Sequence, residues 1–221
     1  MSQFKIISLC AAFLLAFAFN CEASIVDPDF EDANSSSFWS LFGSADPDFS
    51  APGIASAQEG TQTLRLVGNG DPSGVARFSI ALQDIPVDGS QIAVGYEVSA
   101  AGILGQLGND PLLGSNRAFL EISFVDASGT EFLASIFQSA ELVSTSLPDV
   151  YQSVATSVAI VPSNAVDVRV KAVFEELTVT SGENSGAAYF DNIALVVTVP
   201  EPSSGFVLAI GALAALARRG R

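Results

Sequence analysis

Histidine is absent from this 221-residue chain, and its two cysteines, Cys10 and Cys21, both fall in an apolar N-terminal stretch. Without histidine, neither a Ser-His-Asp nor a Cys-His constellation can form. Zinc sites built on histidine or cysteine are excluded from the body for the same reason. Basic residues are scarce too: nine against 24 acids, for a net charge of −15. Such a surface repels nucleic acid and anionic lipid and attracts cations. Tryptophan occurs once, at Trp39, and tyrosine three times, at Tyr96, Tyr151 and Tyr189. No row of aromatic platforms for sugar rings is therefore visible. Helical periodicity is missing outside the two termini. The glycines of residues 68–74 have the wrong spacing for a dinucleotide loop, and a strand pattern follows them, so they read as a turn.

What is present marks the two ends first. Residues 1–23 read as a signal peptide. Lys5 forms a small positive n-region, residues 6–19 an apolar h-region, and Cys21-Glu22-Ala23 a small-x-small cleavage site that starts the mature chain at Ser24. A lipid-bearing Cys21 fits less well, because Phe19 and Asn20 stand where small residues are required. Residues 199–221 form a tail of three parts: Val199-Pro200-Glu201-Pro202, an apolar segment over 205–217, and the basic end Arg218-Arg219-Gly220-Arg221. The two prolines keep the motif extended and deny it two donors. The apolar segment has 13 residues, short of the about 20 that span a bilayer as a helix. Membrane contact through it is therefore expected to be transient, with the arginines staying cytoplasmic.

Through Pro200, Glu201, Pro202, Arg218 and Arg219 this tail resembles the PEP-CTERM sorting signal. The resemblance implies an exported bacterial protein, at the cell surface or in extracellular matrix. It also implies two processing partners, signal peptidase and an exosortase-type enzyme, with the C-terminal segment as a membrane tether that is kept or removed.

Residues 24–198 suit one domain with a sizeable core. Only Arg65, Arg77, Arg117, Arg169 and Lys171 supply positive charge there, and of the acids only Glu22 and Glu201 fall outside. Segments rich in Val, Ile, Phe and Ala alternate with turn residues, so strands are expected near 61–67, 75–82, 91–99, 118–125, 131–138, 151–160, 166–174 and 187–197. The alternation is clearest in Val166-Asp167-Val168-Arg169-Val170-Lys171. Asp126-Ala127-Ser128-Gly129 is short enough to close a hairpin. About eight strands without crossover helices point to an all-β protein, an antiparallel β-sandwich of jelly-roll type. Residues 38–60 and 102–116 read as long loops. The phenylalanines are expected in the core. Asp27-Pro28-Asp29-Phe30 recurs as Asp46-Pro47-Asp48-Phe49, too short a match for a domain repeat.

Asp27, Asp29 and Glu31 alternate along an extended segment, so their carboxylates can share one side. Oxygen ligands of this kind suit Ca²⁺; a solvated acidic strand end is the competing reading. Asp29-Phe30-Glu31, Trp39 and Tyr189-Phe190-Asp191-Asn192-Ile193 resemble the two ends of galactose-binding-like jelly rolls, a group that includes many carbohydrate-binding modules. That resemblance implies one structural Ca²⁺ joining the first and last strands. Glu31 and Asp191 would be its side-chain ligands, with Asp29 as a further candidate. It also implies extracellular polysaccharide as a partner. Tyr96 and Tyr151 are the weak candidates for sugar contact, with core packing as the alternative. Asn34-Ser35-Ser36 fits an N-glycosylation acceptor or a plain loop.

Three functions remain. The leading expectation is a non-catalytic, surface-sorted protein with a structural or adhesive role in extracellular matrix or biofilm. The alternative is a stand-alone carbohydrate-binding module. A carboxylate-pair glycoside hydrolase comes last, since the Glu-x-Asp-x-x-Glu strand motif of glucanase jelly rolls is absent.

Overall fold

The computed structural model describes residues 20–23, 25–49, 61–68, 77–178 and 186–200. Most of the signal-peptide expectation lies outside these residues, as do Glu201, Pro202, the apolar tail segment, Arg218 and Arg219.

The described strands form two antiparallel sheets. The first has seven strands: β1 (Asn20–Ala23), β3 (Ser44–Phe49), β4 (Thr63–Val67), β6 (Glu97–Gly105), β10 (Gln152–Ala155), β11 (Ala159–Ile160) and β13 (Ala187–Thr198). They run in the order β10-β6-β13-β4-β3, with β1 on β13 and β11 on β6. The second has six: β2 (Ser40–Phe42), β5 (Arg77–Pro86), β7 (Arg117–Val125), β8 (Phe137–Gln138), β9 (Leu142–Val143) and β12 (Asp167–Glu176). Their order is β2-β5-β12-β7-β8, with β9 on β7. A single helical turn, α1 (Ser35–Phe38), precedes β2. The architecture is the expected antiparallel sandwich. Among the described residues, no helix is long and apolar enough to cross a membrane.

Strand β12 sits at the centre of its sheet, laddered to β5 on one side and β7 on the other. Val168, Val170, Ala172 and Phe174 enter the core, while Arg169, Lys171 and Glu175 face out. A one-residue slip would exchange the two sets, so the alternation fixes the register. Strand β13 does the same for the other sheet, with Ala188 and Phe190 inward before an irregularity between Asp191 and Ala194, and Leu195 and Val197 inward after it. At that irregularity Asn192 has φ 49°, as expected where an extra residue is accommodated. Gly186 leads into β13 at φ +87°, and a Cβ there would stand 2.1 Å from the Pro111 carbonyl oxygen. No side chain fits that approach.

Phe30 and Trp39 close one end of the core. Both are buried, their ring centroids are 5.2 Å apart, and Trp39 Nε1 donates to the Asp27 carbonyl at 3.2 Å. The 126–130 turn forms as expected: Asp126 Oδ1 accepts from the Ser128 hydroxyl and from the amides of Thr130 and Ser128, which holds its carboxyl below the usual range.

The strand list differs from the sequence expectation in several places. There are more strands than eight because several are short pieces at the sheet edges. Residues 91–96 turn instead of extending, and β6 runs on to Gly105, into the expected loop. The Ser- and Asp-rich stretch 38–60, read as a loop, holds β2 and β3. Edge strands pair on one side only, so they need less apolar sequence than central ones. Residues 131–138 keep only the two ladder residues of β8 and an isolated bridge from Glu131 to Val125. The 151–160 strand breaks into β10 and β11 around Thr156, whose hydroxyl accepts the Ala100 amide at 3.0 Å.

Candidate functional site

The outer face of the six-stranded sheet carries a groove of about 330 Å³, lined chiefly by β5, β7 and β12. Its floor follows from an inverted alternation in β5. Phe78, Ile80 and Leu82 take the outward positions, while Ser79, Ala81 and Gln83 point inward. The inward polar groups are satisfied. Ser79 Oγ donates to the Val67 carbonyl at 2.6 Å, and Gln83 exchanges two hydrogen bonds with the Val26 backbone, at 2.7 and 3.0 Å. With those polar groups paired inside, the sheet tolerates an apolar outer strip. Phe78 is 48% exposed, and Phe42, 55% exposed, stands opposite Ile80 across the β2–β5 ladder. The expectation that phenylalanines belong to the core fails at these two and at the exposed Phe38.

Charged pairs wall the groove. Lys171 bridges Glu121, at 2.8 Å, and Glu131; Gln138 Nε2 donates to Glu121 Oε2 at 2.9 Å. Arg117 pairs with Glu175 and Glu141, and its guanidinium lies 5.7 Å from the Phe119 ring centroid, a cation–π distance. Outside the groove lining, on the same outer face, Arg169 grips Asp84 through two bonds of 2.7 and 2.8 Å. Burial works to raise the Glu131 carboxyl, but the Lys171 ammonium and its neighbours outweigh this and hold it below its usual value. Asp167, at the strand end, is pushed up by burial and by Asp84. Flat apolar surface bordered by oriented donors and acceptors is the chemistry that holds a sugar ring, stacking one face and bonding its hydroxyls.

The second candidate lies where the N-terminal segment meets β13. Pro28 presents its carbonyl to the Ile193 amide at 2.9 Å, filling the gap in the β13 edge between β4 and β1. Glu31 accepts the amides of Thr61 and Gln62, the latter at 2.6 Å. Asp191 is completely buried; Oδ1 accepts the Asn192 amide at 2.8 Å, while Oδ2 has no partner. Burial, reinforced by the charges of Asp29 and Glu31, pushes the Asp191 carboxyl up to about 6. Asp27 Oδ2 is a second buried oxygen without a partner. The fold thus gathers Asp29, Glu31 and Asp191 within electrostatic reach of one another. Among the described residues, however, no three His, Cys, Asp or Glu form a ready-made ion cage. Pro200 is exposed just after β13.

Neither tyrosine candidate reaches the groove. Tyr96 is half-buried and packs on the core. Tyr151 packs with Tyr189 and Leu107 on the outer face of the other sheet, and burial, with Asp191 adding to it, holds its phenol well above the usual range. Phe78 in the groove floor and the exposed Phe42 beside it were missed because hydrophobicity alone does not say which face is inside. The available signal for Phe78 was Ser79 and Gln83 alternating with the apolar residues of β5.

No protein-family model matches the sequence, and no curated protein is similar to it. In three dimensions the chain is similar to the CBM22-1 xylan-binding domain from Paenibacillus barcinonensis, with a TM-score of 0.50 and 9% identity over 82% of this chain and 97% of that one. It is also similar to the CBM22-1–CBM22-2 tandem domain from that organism, with a TM-score of 0.50 and 10% identity over 84% of this chain and 50% of that one. Against the Clostridium thermocellum endo-1,4-β-D-xylanase 10B modules complexed with xylohexaose, the TM-score is 0.48 and identity 13% over 85% of this chain, which spans 30% of that one. At these identities the likeness is one of backbone: the chain shares a β-sandwich fold with the two Paenibacillus barcinonensis domains.

Proposed function

We propose that this protein is an exported, non-catalytic carbohydrate-binding module, which takes a polysaccharide chain into the groove on its six-stranded sheet. The observation that carries the reading is the exposed apolar floor of Phe78 and Ile80, with Phe42 beside it, bordered by the Lys171 and Arg117 ion pairs. The ligand is a neutral glycan, since each of Arg117, Arg169 and Lys171 already faces two carboxylates and the chain carries −15 overall. An acidic polysaccharide would meet uncompensated repulsion. The Pro200-Glu201-Pro202 tail brings the protein to an exosortase-type enzyme at the membrane, and glycan binding then holds polysaccharide at the cell surface. A matrix or adhesive role follows from that binding.

One Ca²⁺ belongs to the same proposal. Asp191 Oδ2 and Glu31 would hold it, with Asp29 near. The fit rests on the buried, partnerless oxygen of Asp191 and on the mutual repulsion of the three carboxylates, both of which a hard cation relieves. It would fasten the N-terminal segment to β13.

Affinity electrophoresis of the full chain through a panel of neutral and acidic polysaccharides tests the binding. At least one neutral glycan is expected to retard it, and Phe78→Ala is expected to weaken that retention by about 10- to 30-fold, the effect of losing one aromatic anchor of roughly 2 kcal/mol. The melting temperature of Phe78→Ala is expected to stay close to that of the parent, because the ring is half-exposed. Retardation by none of the panel would remove the reading and leave a purely structural role.

A further inference from the structure

The leader's cleavage site can be placed by asking which residues the folded domain uses. Strand β1 (Asn20–Ala23) pairs antiparallel with the end of β13, with Asn20 opposite Thr198, Cys21 opposite Val197, Glu22 opposite Val196 and Ala23 opposite Leu195. On that side of β13, β4 covers only Ala187–Phe190 and Pro28 takes the single amide of Ile193. The part of the edge covered by β1 carries Leu195 and Val197, which have no exposed surface. Cutting at Ala23 would remove β1 and leave four consecutive residues of a core strand with an open ladder edge. Unpaired edges of this kind cost hydrogen bonds and invite pairing with other chains.

The sequence offers a second site. Ala16-Phe17-Ala18 is a direct Ala-x-Ala match, and cutting after it still leaves Lys5 as the n-region and residues 6–15 as the h-region. Cys21-Glu22-Ala23 has the small residues but belongs to the strand. We propose that signal peptidase cuts after Ala18, so that the mature protein begins at Phe19 and keeps β1 as part of its seven-stranded sheet. The inference rests on the proposed export. Its consequence is that Cys21 becomes the one cysteine of the mature chain, since Cys10 leaves with the leader.

The test is the N-terminus of the full chain after export from a bacterial host, read by intact mass and by terminal peptide sequencing. A start at Phe19 is expected, together with one alkylated cysteine after denaturation. A start at Ser24, with no alkylated cysteine, overturns the inference while leaving export intact; a start at Met1 overturns both. Ala18→Leu adds an independent readout. It is expected to block processing, whereas unchanged processing of that variant would place the cut elsewhere and sink the proposal.

Discussion

Lys171→Met is expected to lower stability by about 3–5 kcal/mol, the usual cost of removing one partner from a buried ion pair. The Lys171 side chain is only 10% exposed and lies between Glu121 and Glu131, themselves largely covered. Removing the ammonium leaves two carboxylates in a low-dielectric wall, with only Arg169, 3.7 Å from Glu131, as a remaining cation. At roughly 2–4 °C per kcal/mol for a domain of this size, the melting temperature should fall by about 10 °C. The loss depends on pH. Glu131 is held below its usual value in the folded protein, so its contribution is present above the unfolded carboxylate range. It disappears as pH falls through its folded value. The gap between parent and variant should therefore narrow in acid. Adding Glu121→Gln and Glu131→Gln to the variant should recover much of the loss, because neutral amides need no counter-charge. Asp84→Asn at the more exposed Arg169 pair should cost no more than about 1 kcal/mol. Thermal melts of the four proteins check this, and a Lys171→Met midpoint equal to that of Asp84→Asn would show the site to be open to water.

Calcium is expected to raise the melting temperature of the chelator-treated protein by roughly 5–10 °C at a concentration near 100 times its dissociation constant, where linkage gives about 2.7 kcal/mol. The increment should be larger at pH 7.5 than at pH 5. The Asp191 carboxyl is raised to about 6 in the fold, so the metal-free protein binds a proton there on folding. Its stability is greatest below the unfolded carboxylate range and declines as pH rises through 6. A cation must displace that proton at pH 5 but finds a bare carboxylate at pH 7.5. Asp191→Asn should abolish the calcium increment and, in chelator at pH 7.5, melt higher than the parent, since it removes the repulsion with Asp29 and Glu31. Melting curves with and without calcium at the two pH values decide the matter. A parent midpoint that ignores calcium at both would dismiss the cation, and a destabilised Asp191→Asn in chelator would show that the charge serves another purpose.

The two central strands show how much of the fold the sequence carries. In β12 each core residue alternates with a charged or polar one until Val173, so both the strand and its inward face are readable. In β5 the same period gives the strand but the wrong face, because Ser79 and Gln83 are satisfied by partners 12 and 57 residues away. Those partners have no local signature. The split of 151–160 at Thr156 and the short edge strands β2 and β3 were equally hidden, since a bond to Ala100 or to a neighbouring strand is made only after the sheets assemble.

The candidate sites divide the same way. Glu31 and Asp191 are singled out only by the resemblance of their motifs to the two ends of galactose-binding-like jelly rolls; the fold adds that Asp191 is buried with one oxygen unpartnered and that Pro28 lies against the β13 irregularity. The groove could not be singled out. It is made of phenylalanines that composition assigns to the core and of charges that look like a solvated face. Sequence alone determined the all-β class, the acidic character, the lack of histidine chemistry and the terminal motifs, because composition and period-two alternation are local properties. Only the tertiary structure decided which face of each sheet is outside, which charges are buried together and which N-terminal residues the last strand pairs with. Each of those depends on segments far apart in the chain competing for the same neighbour.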